Sequence, residues 1–208
     1  KLKLKKINSP MIHQSTINAD SIEELFNLFE ENSKDPFSVA WIDCTAKSDK
    51  LGRGIYLSGK FSDDITSRKY ETYFQQNLSI PFLMPKFLVN RMTIKVFNIL
   101  YYTILKYSKR ERLVHFDKFF FPLDKIKNWN RIYGVGGFVQ YQFVLPKQYS
   151  LDGIKSILSI IKKSGENSSL AVLKLFGNQN ENYLSFPIEG YTLALDFKNT
   201  PKIHKLFS

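Results

Sequence analysis

The sequence predicts an α+β domain, in which a largely antiparallel β-sheet has helices packed on one face. The predicted elements run strand, helix, strands, helix, strand, helix, strand, strand, and neighbouring strands are joined by hairpin-like turns. The 208 residues are 43% hydrophobic and 24% charged, a composition that fits one globular domain over residues 1–208. Aromatic residues make up 15% of the chain, which suits sheet faces and apolar pockets.

The chain opens with a strand signal and a helix signal. Residues 1–7 alternate lysine with apolar residues, which predicts a short edge strand protected by its charges. Ser21 and Glu24 form a capping-box pattern at the start of a helix. The apolar stripe of this helix recurs at helical spacing and consists of Ile22, Leu25, Phe26 and Phe29.

Two strands and a helix follow. A strand over 37–44 alternates and is paired with a strand over 55–58 through a turn at 50–54. That turn contains Gly-Arg-Gly, which has neither the lysine spacing of a phosphate loop nor a dinucleotide-binding pattern. Residues 62–76 are polar and predict a loop, and a helix is predicted over 89–106, followed by a basic loop to residue 112.

The second half carries the clearest signals. Residues 136–146 predict a strand that ends at a proline. Residues 150–163 predict a helix, which is followed by Gly165. Residues 169–176 and 191–196 predict two further strands. A polar turn and a short extended piece at 184–187 are predicted between these two strands.

Polar side chains interrupt the apolar pattern of two of these strands. Period-two geometry places Gln140 and Gln142 on one face of their strand, and Lys174 on one face with Val172 and Phe176. One interpretation is an ordinary solvated face. The other is a cavity wall, where amides and an ammonium orient a polar ligand among apolar neighbours. The pattern alone does not decide between them, just as it leaves Trp41 either in the core or in a pocket wall.

Charge and motif content narrow the functional classes. The formal net charge is +11, so an anionic partner or surface fits, although part of this excess reflects a lysine-rich composition. A single cysteine, Cys44, excludes an internal disulfide framework. The three histidines lack metal-ligand spacing, so no metal site is predicted, and no hydrolase or kinase motif occurs. No recognised nucleic-acid module is present, so we predict no nucleic-acid partner.

Membrane and targeting signals are equally sparse. The sequence contains no stretch of about 18 uncharged apolar residues, so no membrane span is predicted. The opening residues lack the apolar core of a signal peptide. We therefore expect a cytoplasmic location or one peripheral to the membrane. The aromatic and apolar segment before the basic loop could either pack in the core or touch a membrane surface or lipid chain. The chain also lacks an initiator methionine, which suggests a fragment of a longer protein.

Several motifs in order and near the expected spacing resemble a known family. They are similar to the substrate domain of the FAD-linked decaprenylphosphoryl-ribose oxidases, within the vanillyl-alcohol-oxidase superfamily. The resemblance is strongest over 119–196, and Trp41 with residues 50–53 extends it upstream. The segments that carry it are 121–124, 129–134, 137–143, 174–177 and 184–190.

The resemblance implies a domain of a larger flavoenzyme. In that family an FAD-binding domain precedes the substrate domain, and a C-terminal segment returns to complete the flavin site; we expect both outside this chain. The family oxidises a sugar hydroxyl by hydride transfer to flavin. By position, the residues that match the substrate pocket are Gln140, Gln142, Lys174, Phe176 and Trp41. No catalytic residue is assigned within the chain, and the chain alone is expected to be inactive.

Three departures from the family pattern also concern the pocket. Phe120 stands where the best-known members have a tyrosine, just before their His-Pro-Leu-Asp segment. In the last strand the actinobacterial pattern Trp-Asn-x-Cys-Val-Asp reads Tyr-Thr-Leu-Ala-Leu-Asp, so Thr192 replaces the asparagine and Ala194 the cysteine. We expect the fold to survive these changes and the substrate to differ.

Two functional hypotheses from different classes follow. In the first, the chain is the substrate-binding cap of an FAD-dependent oxidoreductase. Its partners are then the FAD-binding domain of the same protein and an alcohol or sugar, which a polyprenyl phosphate could carry. In the second, it is an independent basic module that binds a lipid phosphate or nucleic acid. An FAD-binding region upstream in the full gene would decide for the first.

Overall fold

Nine strands are present in the computed structural model, which describes residues 4, 6–46, 50–64, 78–85, 87–182 and 188–207. The strands are β1 (Met11–Ala19), β2 (Phe37–Ile42), β3 (Gly54–Phe61), β4 (Leu78–Ser79), β5 (Glu111–His115), β6 (Ile126–Lys127), β7 (Phe138–Pro146), β8 (Leu170–Phe176) and β9 (Gly190–Lys198). Seven of them form one sheet in the order β5-β1-β3-β2-β8-β9-β7, and every pairing in it is antiparallel. The other two, β4 and β6, form a short parallel pair.

The described residues also form five α-helices. They are α1 (Ile22–Glu31), α2 (Arg91–Lys106), α3 (Phe116–Phe120), α4 (Lys147–Ser164) and α5 (Pro201–Phe207). Short 3-10 turns at Leu123–Lys125 and Trp129–Tyr133 lie between α3 and β7. The α+β class with an antiparallel sheet, predicted from the element order, is therefore confirmed.

The main core lies between one sheet face and the helices α1 and α4. The side chains of α1 that the sequence pattern selected are all buried there, and Ile154, Leu158 and Ile161 of α4 meet them. The sheet contributes alternate residues, such as Leu193 and Leu195 of β9. Each fully buried aliphatic side chain of this kind contributes about 1.5–3 kcal/mol.

Local signals set the ends of these two helices. The Ser21 hydroxyl accepts a hydrogen bond from the backbone N–H of Glu24 at 3.3 Å, which caps α1. Gly165 follows α4 in the left-handed conformation, with φ of 77°, which a residue without Cβ adopts at no steric cost. Both helix ends agree with the sequence prediction.

Helix α2 lies on the opposite face of the sheet. Its Tyr102 is buried against Trp41 of β2 and Ile55 of β3, which point away from the main core. The predicted layer of helices on one face is thus present as α1 and α4, and α2 adds a partial second layer. It leaves the part of this face formed by β7, β9 and β8 open.

Other predicted segments differ in position or lie outside the described residues. The strand expected at 1–7 falls mostly on residues that are not described, as do the loop at 62–76 and the piece at 184–187. The described first strand is β1, a segment that the pattern did not select. The basic loop after α2 is also shorter than predicted, because β5 begins at Glu111 and pairs with β1.

Candidate ligand-binding site

A concave region on the open sheet face brings the predicted polar residues together. We call it the trough. It has a volume of about 220 Å³. Three neighbouring strands supply its lining: Gln140 and Gln142 from β7, Thr192 and Ala194 from β9, and Val172 and Lys174 from β8.

Strand register explains why residues distant in sequence meet here. Gln142 is paired with Ala194, and Ala194 with Val172, so these three form one row across the sheet. Lys174 is paired with Thr192 in the adjacent row. Directly opposed residues have Cβ atoms about 4.5–5.5 Å apart, and side chains two residues apart share a face. These two rows therefore place the Lys174 ammonium and the Gln142 amide on the same face as the apolar residues Val172 and Ala194.

Hydrogen bonds fix the orientation of Gln142. Its Nε2 donates to the Thr192 hydroxyl at 3.1 Å, and that hydroxyl donates to the carbonyl oxygen of Phe143 at 2.9 Å. Thr192 itself is buried. The amide of Gln142 is thus held by a side chain that the sheet backbone orients in turn.

A buried carboxyl holds the second glutamine. Gln140 Nε2 donates to Asp196 Oδ1 at 2.8 Å, and Asp196 is only 3% exposed. Burial raises the pKa of the Asp196 carboxyl, and the hydrogen bond from Gln140 opposes that rise. Asp196 was missing from the predicted site. Its period-two spacing from Ala194 could have identified it, because the two residues share a sheet face.

Lys174 supplies the cation of the trough. Its side chain is exposed. In the part of the chain that the structure describes, it makes no hydrogen bond or ion pair, unlike Lys147, which is paired with Glu30. An ammonium with open donors beside two oriented amides can bind the oxygen atoms of a polar or anionic ligand.

Three other predicted residues do not line the trough. Trp41 is buried and packs edge-on against Tyr101 of α2, with ring centroids 4.9 Å apart. Phe120 belongs to an aromatic cluster in which it meets Phe37 edge-on at 4.9 Å. Phe176 shares the face of Lys174, further along β8. The role of these residues in substrate binding stays a prediction.

The remaining chemistry-bearing residues predicted from sequence are structural. Arg53 Nη2 and Asp43 Oδ2 are 2.8 Å apart, and Asp43 is fully buried. An added Cβ on Gly52 would lie 2.8 Å from Ile22, so the turn at 50–54 is packed against α1 and leaves no phosphate cradle. Cys44 is buried with the main core, on the side opposite Trp41, and burial raises the pKa of its thiol.

The residues in the trough are compatible with one wall of a flavin and substrate site. The trough is open on one side, and its donors can face a polar ring or a sugar. A complete dinucleotide site also needs backbone donors for the pyrophosphate, usually at a helix N-terminus after a glycine-rich turn. The described residues offer no such turn, so they fit the ring side of an FAD and leave its phosphates to another domain. Within the same residues, no cluster of three or more His, Cys, Asp or Glu could hold a metal ion.

Fold and site together define an α+β domain that presents a polar, cationic trough on an open antiparallel sheet. No family model matches the chain. It is similar to decaprenylphosphoryl-β-D-ribose oxidase of Mycolicibacterium smegmatis, with 35% identity over 175 residues. These residues are 81% of this chain and 38% of the oxidase, so the chain spans about two fifths of that relative. The resemblance predicted from the sequence motifs is confirmed: the chain is homologous to part of this oxidase.

Proposed function

We propose that the chain is the substrate-binding domain, over residues 1–208, of an FAD-dependent oxidoreductase that oxidises an alcohol hydroxyl. A sugar linked to a polyprenyl phosphate is the substrate class we favour. One observation carries the proposal: Lys174 and the two glutamines line a single trough on an open sheet face. Similarity to an oxidase whose name specifies such a lipid-linked sugar supports it.

Each side chain of the trough has a distinct role in this proposal. The Lys174 ammonium donates to an oxygen of the substrate. Gln142, held through Thr192, and Gln140, held through Asp196, orient the sugar hydroxyls. Val172 and Ala194 form the apolar floor, which limits water access to the reacting carbon. An FAD bound against this wall would supply the hydride acceptor for that carbon.

Substitution of Lys174 tests the proposal. In the full-length protein, we expect Lys174→Met to lower kcat/KM for a polyprenylphosphoryl pentose by roughly 10- to 150-fold. The reason is that a hydrogen bond to a charged group contributes about 1.5–3 kcal/mol. Lys202→Met is the matched control, since Lys202 is an exposed lysine of α5 and does not line the trough. Equal kcat/KM values in the two variants would contradict the proposal and show that Lys174 is an ordinary exposed lysine on a solvated face.

The isolated chain provides a second test. We expect the 208-residue chain to purify without tightly bound flavin, because it offers one wall of the ring site and no pyrophosphate cradle among its described residues. The measurement is the flavin absorbance per mole of protein, with the full-length protein as the control. Stoichiometric flavin in the isolated chain would refute the proposal that another domain binds most of the FAD.

A further inference from the structure

The outward side of α2 is apolar. Its inward residues Ile94, Asn98 and Tyr102 are buried against the sheet. A surface helix normally carries charged or polar residues opposite its buried stripe. Here the exposed side consists mainly of large apolar residues: Met92, Val96, Phe97, Ile99, Leu100 and Ile104.

The segment of the chain that leads into α2 is also rich in exposed apolar residues. It exposes five more large apolar side chains in the described residues: Leu78, Phe82, Leu83, Phe87 and Leu88. We call these residues, together with the outward side of the helix, the α2 surface. Scattered exposed apolar residues are normal in proteins, but so many within one helix and its lead-in segment are typical of an interaction site.

The charged residues of this stretch of the sequence all have one sign. Over 72–110 the sequence contains no aspartate or glutamate and six lysines or arginines. Three of these, Arg91, Lys95 and Lys106, lie on α2 and are exposed. A partner of this surface must therefore combine an apolar interior with negative charge at its boundary, as an anionic lipid bilayer does.

Buried polar contacts attach α2 to the sheet, so its outward side has a defined orientation. Asn98 Nδ2 donates to Asp43 Oδ1 at 2.8 Å, and the Tyr102 hydroxyl donates to Asp20 Oδ1 at 2.8 Å. The Arg53 guanidinium lies 4.7 Å from the centre of the Tyr102 ring. These contacts hold the helix by its inward side and leave the apolar side facing outward.

The length of α2 determines how it can meet a bilayer. A membrane-spanning helix needs about 20 predominantly apolar residues. Helix α2 is only 16 residues long in total, and three of these are basic. Among the helices within the described ranges, none is long and apolar enough to cross a membrane. An amphipathic helix of this kind lies along the membrane surface, with its apolar side below the headgroups and its cations beside the phosphates.

We propose that the α2 surface docks the protein on an anionic lipid bilayer. This proposal rests on the exposed residues themselves, and it deepens the proposed function because a bilayer would hold the polyprenyl chain of a lipid-linked substrate. Docking is peripheral: the apolar residues enter the headgroup region, and Lys95 and Lys106 face the lipid phosphates.

Vesicle binding by the full-length protein tests the proposal. We expect the protein to co-sediment with vesicles of equal parts phosphatidylglycerol and phosphatidylcholine, and to bind pure phosphatidylcholine vesicles much less. Val96→Glu should weaken binding roughly tenfold or more, because it places a carboxylate at the boundary between the headgroups and the acyl chains, where the apolar side of the helix is buried. Ile160→Glu on α4 is the matched control: Ile160 is 55% exposed and Val96 51%, so the two changes are alike apart from position. The control should bind like the wild type.

A second variant keeps the test independent of folding defects. Lys95→Gln combined with Lys106→Gln leaves the apolar residues intact and should weaken binding to the anionic vesicles about fivefold for each lysine. Wild-type binding no stronger than background would overturn the proposal, as would equal loss in the α2 and α4 variants. A dimer that Val96→Glu dissociates, without vesicle binding by the wild type, would assign the surface to a second copy. Flavin content and Lys174 kinetics test the proposed function separately, so the two failures are distinguishable.

Discussion

Replacement of Arg53 by methionine should destabilise the domain by about 3 kcal/mol. Arg53 donates to Asp43 Oδ2 through Nε at 3.0 Å and Nη2 at 2.8 Å, and the Asp43 side chain is fully buried. Removing one partner of a buried ion pair costs about 3–5 kcal/mol, because an uncompensated charge remains. We expect the lower end, since the Arg53 side chain is 17% exposed and Asp43 keeps hydrogen bonds from Thr45 and Asn98.

A double-mutant cycle measures this interaction. The free energy of unfolding is obtained from denaturant titrations of the wild type, Arg53→Met, Asp43→Asn and the double variant. The double variant should be more stable than the sum of the single losses predicts, because it leaves no unpaired buried charge. If Arg53→Met lowered the free energy of unfolding by less than about 1 kcal/mol, the pair would behave like an exposed ion pair, and the reasoning from its burial would be refuted.

The remaining predictions concern the buried acid and the thiol. Burial raises the pKa of the Asp196 carboxyl, so the protonated form is favoured more in the native state than in the unfolded state. The resulting stabilisation of the native state is fully present below the ordinary aspartate pKa near 4, and it is lost as pH rises through the native pKa. Asp196→Asn should therefore gain stability relative to the wild type as pH rises from about 4 to 7. The measurement is the free energy of unfolding of both proteins at several pH values. A difference between them that stays constant with pH would contradict this reasoning. If the full-length protein reduces nitroaromatic compounds, this domain should carry no covalent adduct, because Ala194 places no thiol in the trough. Cys44 is buried on the other side of the sheet, and intact mass spectrometry after turnover would detect an adduct that contradicts this.

Secondary structure was predictable where the buried residues of an element recur with a regular period. Helices α1 and α4 and strands β7, β8 and β9 follow the hydrophobic period closely, because the core selects alternate or helical positions. Strand β1 shows no such alternation: it carries His13, Gln14 and Asn18 among its apolar residues, and pairing with β3 and β5 on both edges forms it. Long-range pairing of this kind leaves no local signal in the sequence.

Helix α5 was missed although a local signal exists. Thr200 precedes Pro201, and its hydroxyl accepts a hydrogen bond from the backbone N–H of Ile203 at 3.4 Å. Threonine at the cap followed by proline at the first helical position is a typical helix start. The helix is seven residues long, so the apolar period alone was too short to reveal it.

The candidate site was only partly predictable. Period two assigned Gln140 and Gln142 to one face and Lys174 to a face of another strand, but nothing in either strand indicated that the faces coincide. That depends on the register through β9, where Ala194 is paired with both Gln142 and Val172. The support of the glutamines by Thr192 and Asp196 likewise requires the folded sheet.

The trough and helix α2 lie on the same face of the sheet, and this shared location connects the two proposals. Trp41 packs against Tyr101 of α2, and it is also the register partner of Val172 in the trough. The helix therefore lies beside the strand that supplies Lys174. A bilayer on the outward side of α2 would hold a polyprenyl chain close to the trough, so its sugar need travel only a short distance. Binding energy from the lipid would then position the hydroxyl to be oxidised, which is how remote contacts of a substrate raise the rate at its reacting atom.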